Sequence, residues 1–459
     1  MKIFLLSSFF LLSLCLESDF EIQYDNLYEN NIIESLKNII IEVEASFGEN
    51  MDTYKLILDP DTQAMVLPGV EFEESEDIKK YNISSNTFEK LENIPSYPLE
   101  KYYSGTFGKD IFKLGNSETL KKKISFYVAN TYKNIFHSKT YAYIGLKVFV
   151  NGDESKLNII EQMKENDLIS NTTWFLDFKS DTKGKFVLGL LPHLAYKDKY
   201  NEKDMYKLKV HSTFISSYGL KLHEIYYGKE EKYENRTSGD PLHVLIKFNI
   251  NSRIIQCTYD FGIILHNKFF RNKIENNVCK DEIINISNDN YKYYYCQRDK
   301  FNMDEMENIN FLTDIQSDNI TFVLEPKDLF YEHNGFLIFL VIYRLENPDN
   351  DQETVWNIGT PFLKKYLITF NRNDKLLYFY KKTNNEDGGN ESTNQSLHIK
   401  YIIIISVLSV VFLASIGTLI FYIIKIKPRK RKANELDDTF DYQEKKTEGG
   451  DSALINDDN

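Results

Sequence analysis

One feature of this 459-residue chain limits every fold it can adopt: Tyr401 to Ile424 is a run of 24 residues without a charge. At about 1.5 Å per residue, a helix of that length crosses the roughly 30 Å hydrocarbon core of a bilayer with room to tilt. A core helix of a soluble domain would show a polar stripe, whereas this run has only scattered Ser, Thr and Gly. It predicts one transmembrane helix over 401–424. A shorter apolar run, Ile3 to Leu16, lies between Lys2 and the acidic pair Glu17 and Asp19. That order predicts a secretory signal peptide over 1–16.

Orientation follows from the flanks. Lys425, Lys427, Arg429, Lys430, Arg431 and Lys432 crowd one side of the span, while Lys400 and His398 stand near the other. The positive-inside rule places 425–459 in the cytosol and the large N-terminal part in the lumen or outside the cell. The expectation is a single-pass type I membrane protein of the secretory or endolysosomal pathway or the cell surface. Sequons agree: Asn82, Asn171, Asn235, Asn285, Asn319, Asn390 and Asn394 each open an Asn-X-Ser/Thr triplet, and none lies in the tail. The polar stretch before the span reads as a stalk over 383–400. In the tail, Asp451-Ser-Ala-Leu454-Ile455 resembles a sorting signal, so sorting machinery is a candidate partner there; a plain acidic tail is the alternative.

Composition closes off other classes. With 55 basic and 68 acidic side chains, the net charge of -13 argues against a nucleic-acid binder. The 31 Tyr and 32 Phe carry too much apolar surface for a disordered coil. Between residues 36 and 382, short runs rich in Ile, Val, Tyr and Phe alternate with polar residues, as in 39–44, 54–58, 186–191, 243–248 and 366–370. That period predicts strands, and only 156–168 repeats its apolar residues at helical spacing. The fold class expected from pattern is all-β with a few short helices.

At this point the residues reach a resemblance. Trp356-Asn-Ile-Gly-Thr-Pro-Phe-Leu-Lys-Lys-Tyr366, followed by Phe370-Asn-Arg372, resembles the C-terminal signature of pepsin-like aspartic proteases, with Asn371 where Asp is usual. Leu56-Ile-Leu-Asp59 with Val66-Leu-Pro68 resembles the first catalytic strand and its follower. Tyr143-Ile-Gly145-Leu, Lys183-Gly-Lys-Phe-Val-Leu-Gly189 and Asn319-Ile-Thr-Phe-Val-Leu-Glu-Pro are similar to later landmarks, in the family's order. The resemblance implies a bilobal body with an N-lobe over 36–178, a C-lobe over 179–382 and a cleft that takes a peptide or protein ligand. It implies one catalytic Asp per lobe, carried over as Asp59 and as Asp260 in Cys257-Thr-Tyr-Asp260-Phe-Gly262. These would lie beneath Tyr143-Ile144-Gly145 and Asn357-Ile358-Gly359. Two such carboxyls share one proton; the ionised member activates water and the protonated one polarises the peptide carbonyl. No cofactor and no metal is required, and no HExxH or other metal-ligand spacing occurs.

The family's loops read Asp-Thr-Gly-Ser/Thr, and their Thr hydroxyls cross-link the two lobes. Here the loops read Asp59-Pro60-Asp61-Thr62 and Asp260-Phe261-Gly262-Ile263. Pro60 and Phe261 lack the hydroxyl, and Asp61 adds a third carboxyl. Tyr97 is the flap candidate, beside Pro98-Leu-Glu-Lys rather than a Gly-rich turn. The family's second-lobe disulfide points to Cys279 with Cys296, with Cys257 as a competing partner. The segment 17–35 holds six acidic side chains and no Lys or Arg, so it is unlike the basic propeptide of the family's zymogens. The expected function is that of a pepsin-like peptidase homologue with a degenerate dyad and weak or no proteolysis. A non-catalytic peptide-binding glycoprotein and an unorthodox acid endopeptidase are the alternatives.

Overall fold

The computed structural model describes residues 15–24, 31–72, 79–92, 103–115, 122–132, 142–147, 157–214, 217–228, 244–286, 289–313, 320–345 and 355–381. The chain starts in one sheet, leaves it for a second, and returns. Strands β1 (Leu16–Tyr24), β2 (Ile39–Phe47), β3 (Asp52–Asp59), β4 (Val66–Pro68), β5 (Glu89–Lys90), β6 (Tyr103–Leu114), β7 (Lys122–Tyr132), β8 (Ala142–Gly145), β9 (Thr173–Phe178), β10 (Lys183–Leu188) and β11 (Met205–Lys209) lie in a mixed thirteen-stranded sheet. An eleven-stranded mixed sheet follows, made of β12 (Gly219–Tyr227), β13 (Val244–Phe248), β14 (Ile255–Cys257), β15 (Cys279–Ile286), β16 (Asp289–Gln297), β17 (Ile309–Thr313), β18 (Thr321–Leu324), β19 (Phe330–His333), β20 (Phe336–Phe339), β21 (Val341–Arg344) and β22 (Val355–Ile358). The chain then rejoins the first sheet with β23 (Tyr366–Asn371) and β24 (Leu376–Lys381), between β9 and β11. The protein is thus mostly β, in two lobes with few short helices.

Alternation explains the strands. In β2, Ile39, Ile41, Val43, Ala45 and Phe47 are buried while Glu42 and Glu44 face outward, which is the period-2 pattern of a half-buried strand. The helix expected at 156–168 is Ile159–Glu165, opened by the Asn158 side chain accepting the Ile160 N–H and burying Ile159, Ile160 and Met163. It ends before Asp167, whose φ of 57° no continuing helix accepts.

The N-terminal segment departs from the sequence reading. Residues 17–24 are not a stretch apart from the body: from Leu16 the chain forms β1, which lies between β10 and β2, so the body begins before residue 36. Leu16, Ser18, Phe20 and Ile22 point inward, and the acidic residues face out, with Glu17 and Glu21 paired to Lys185 and Lys183. The acidity of Glu17, Asp19 and Glu21 is the outer half of an alternating strand.

Aromatic packing ties the returning strands to the second sheet. Trp174 stacks on Phe370 at 4.2 Å and donates from Nε1 to the Tyr218 hydroxyl at 3.0 Å. Phe248, the last residue of β13, contacts Phe362, Phe370 and Phe379. Arg372 is buried, paired with Glu161 and donating to the Lys147 carbonyl at 3.3 Å. In the hairpin β15–β16, Cys279 stands opposite Cys296 and the two are joined as a disulfide, while Cys257 is a buried free thiol.

Among the described residues no helix is long and apolar enough to cross a membrane. The signal sequence, the stalk, the 401–424 run and the tail lie outside the described residues, apart from Cys15 and Leu16. So do Asn235, Asn319, Asn390 and Asn394; Asn82, Asn171 and Asn285 are exposed. Replacing Cys279 and Cys296 together by Ser opens a cross-link of 17 residues' separation. The urea midpoint is expected to fall by the equivalent of roughly 2–4 kcal/mol, measured by equilibrium unfolding against the wild type.

Candidate functional site

Each lobe contains the same local construction. In the first, β3 pairs in parallel with β8, so that Leu58 lies opposite Ile144 and Asp59 opposite Gly145. β8 pairs antiparallel with β4 through Val66 and Tyr143, and β4 runs parallel to β7. In the second lobe β13 pairs in parallel with β22, Lys247 opposite Asn357 and Phe248 opposite Ile358. β22 then pairs antiparallel with β14 through Gln256 and Asn357, and β14 runs parallel to β21. Val66 therefore matches Gln256, and Ile57 matches Lys247, both at a shift of 190 residues (256 minus 66, 247 minus 57).

That shift carries Asp59 onto Asn249. Three further observations hold the match. Gly359 follows Ile358, so Asn249 faces it as Asp59 faces Gly145. The Asp61 N–H donates to Asp59 Oδ1 at 2.8 Å, and the Asn251 N–H donates to Asn249 Oδ1 at 3.0 Å. A Cβ on Gly145 would come 2.4 Å from the carbonyl carbon of Gln63, and one on Gly359 would come 2.4 Å from the carbonyl oxygen of Ile254. Both glycines are thus pressed against the loop that descends from residue 59 or 249, and only Gly permits that approach.

Asp260 stands elsewhere. It lies in the first turn of the helix Tyr259–Leu265, beyond β14, where Thr258 caps the helix by accepting the Phe261 N–H at 3.3 Å. Its side chain is exposed, and by the same shift it matches Val70 of the first lobe. Asp260 is therefore not at the place that mirrors Asp59. Phe261 is likewise not a loop residue of the site: it is buried, with its ring 4.8 Å from that of Trp356. The Asp-x-Gly spelling of 260–262 gave the match by residue type, while strand register puts the equivalent position eleven residues earlier. A sequence signal for it exists: Asn249-Ile-Asn251-Ser252 directly follows an apolar strand, and it spells Asp59-Pro-Asp61-Thr62 with amides for carboxyls. Tyr97 lies outside the described residues.

Asn158 steadies the first loop. It is fully buried, and its Nδ2 donates to the carbonyls of Gln63 at 3.3 Å and Gly145 at 3.4 Å. The two loops also touch across the lobes. Asn251 Nδ2 donates to the Leu58 carbonyl at 3.0 Å, and Lys247 Nζ lies 3.3 Å from Asp61 Oδ1. A hydrogen bond of this kind contributes about 1 kcal/mol net, and an exposed ion pair at most about as much. Thr360, buried beside Gly359, has no hydrogen-bond partner for its hydroxyl among the described residues.

Burial pushes the Asp59 carboxyl above its ordinary range, and the Asp61 charge adds to the push; the backbone N–H groups of Asp61 and Thr62 oppose it. The residue at the matching position of the second lobe, Asn249, is an amide and does not titrate. The pair holds one ionisable group, not two. Such a site offers a hydrogen-bonding ligand an acceptor at Asp59 and an amide donor at Asn249, with one carboxyl rather than two at the matched positions. Among the described residues no group of three or more His, Cys, Asp or Glu is placed to hold a metal ion. No family model matches this sequence, and no curated protein matches it.

A raised carboxyl pKa favours the folded state's proton, so the folded protein loses stability as pH rises from the ordinary Asp value of 3.8 through the folded value. Asp59→Asn removes that loss. The variant is expected to be more stable than wild type above the window, with the difference closing as pH falls to 3.8, read from urea midpoints of both proteins across acidic to neutral pH.

Proposed function

We propose that this chain is a divergent pepsin-like aspartic peptidase homologue that binds an extended peptide or protein segment between its lobes and does not cleave it. The observation that carries this reading is Asn249 at the position mirroring Asp59. In the mechanism that the resemblance implies, one group takes a proton from water while its partner gives one to the peptide. Asp59 alone can hold one proton at a time, and an amide at 249 neither accepts nor releases one. Losing a general acid or base typically costs 10²–10⁴ in rate. Proteolysis near background follows, while the hydrogen-bonding capacity of the site is kept.

The second reading is an acid endopeptidase working through Asp59 alone. The raised proton affinity of that carboxyl favours it, since a neutral acid at moderate pH can polarise a carbonyl. The proposal also places the protein in a membrane: the uncharged run 401–424 supplies the span and the basic flank after it the cytosolic side. The lobes would then face the lumen of the secretory or endolysosomal pathway or the cell exterior. The Cys279–Cys296 disulfide is in keeping with an oxidising compartment.

Full-length protein in detergent, incubated from pH 3 to 7 with intact fluorescein-labelled casein to read cleavage and with pre-digested labelled casein fragments to read binding, separates the readings. The expected result is retention of casein fragments on the protein with cleavage no faster than that of Asp59→Asn, and a measurable gain of cleavage in Asn249→Asp. Wild-type cleavage well above Asp59→Asn would overturn the non-catalytic reading. Failure of wild type to retain any fragment would overturn the binding reading.

A further inference from the structure

The second-lobe loop makes several bonds to the first lobe, and two of them meet the loop that carries Asp59. Asn251 is fixed at three points: its N–H on Asn249 Oδ1 at 3.0 Å, its carbonyl accepting from the Ile39 N–H at 3.1 Å, and its Nδ2 on the Leu58 carbonyl at 3.0 Å. Leu58 is the residue before Asp59. Lys247 and Asn249 lie two residues apart, so they leave the strand on the same side; Lys247 Nζ reaches Asp61 Oδ1, two residues after Asp59. A backbone anchor beyond the loop adds to this, with the Arg253 N–H on the Leu36 carbonyl at 2.7 Å and its guanidinium paired with Asp181.

These contacts sit on an unusual pair of positions. Pro60 and Ile250 match each other in the two loops, and neither has a side-chain donor or acceptor. The cross-lobe contacts come instead from the next residue of each loop, Asp61 and Asn251. Asp61 places a second carboxylate beside Asp59, and Lys247 from the other lobe lies against it. The change in one lobe is answered by a residue in the other.

We infer that Asn251 and Lys247 are positioning residues that hold the two site loops in register, one through a neutral hydrogen bond and one through a salt-sensitive ion pair. Neither is assigned a contact with ligand. Their effect on ligand affinity rests on the peptide-binding reading, but their effect on the loops does not. The Lys247–Asp61 pair is partly exposed, with side-chain exposures of 32% and 67%, so added salt weakens it. The Asn251 bond is uncharged and is expected to be salt-independent.

The experiment uses full-length protein and two readouts. Hydrogen exchange follows the Asp61 and Thr62 amides, both of which donate to Asp59 Oδ1; fluorescein-labelled casein fragments report affinity. Asn251→Leu keeps the size but removes the donor without adding a charge, and is expected to speed exchange of both amides roughly ten-fold at every salt concentration. Lys247→Asp and Asp61→Lys are each expected to do the same at low salt, with the difference from wild type shrinking at 1 M salt, an ionic strength with a Debye length of about 3 Å. The double variant Asp61→Lys/Lys247→Asp restores the pair and is expected to recover most of the protection and of the fragment affinity. Unchanged exchange in Asn251→Leu, or a double variant no better than the singles, would overturn the inference. If wild type retains no casein fragment, the binding reading falls while the exchange data still decide this one.

Discussion

The site depends on two glycines that have no room for a side chain. Gly145 and Gly359 each end an apolar strand segment and lie against the carbonyls of a loop that crosses directly over them. That contact fixes how far the loop descends after β3 or β13, and so fixes which residue stands at the top of the strand. In one lobe that residue is Asp59; in the other it is Asn249. The buried cores on either side, with Leu56 and Leu58 below one loop and Phe248 among Phe362, Phe370 and Phe379 below the other, keep the two constructions rigid.

Electrostatics at the site follow from this placement. A pair of carboxyls would need to share a proton; a carboxyl facing an amide does not. Asp59 is left with its own burial and with Asp61, both of which favour its protonated form. Lys247 offsets Asp61 from across the lobes. The loops therefore stay joined although neither Pro60 nor Ile250 can contribute a side-chain hydrogen bond. The second-lobe loop is formed with an amide at its head: Asn249 accepts the Asn251 N–H as Asp59 accepts the Asp61 N–H in its own lobe.

Much of the scaffold was legible in the sequence because alternation is a strong signal: β2, β3, β13 and β23 all fall within or across runs read as strands, and Ile159–Glu165 falls within the one helical pattern. The glycine segments at 143–145 and 357–359 were legible as well. The strand at 16–24 was less legible, because Glu17, Asp19 and Glu21 give an edge-like charged face to the alternating Leu16, Phe20 and Ile22 that make β1 an internal strand. Asp260 shows the same limit of residue type, since it lies in the first turn of a helix beyond β14. A search keyed to carboxyls accepts Asp-x-Gly wherever it occurs, while the position itself is set by strand register. Asn differs from Asp by one atom in shape and by a whole charge in chemistry, so the residue that occupies the mirrored position looks unlike its partner to any search for acid.

The central claim is that Asn249, and not Asp260, is the second-lobe counterpart of Asp59 and lies near enough to sense its charge. Side-chain amide ¹⁵N NMR tests it most directly, with the Asn249 signal assigned by its loss in Asn249→Asp. The account predicts that this signal shifts in a single step as the pH is lowered, that the step disappears in Asp59→Asn, and that it is unchanged in Asp260→Asn. An Asn249 signal indifferent to Asp59, or one that follows Asp260, would contradict it.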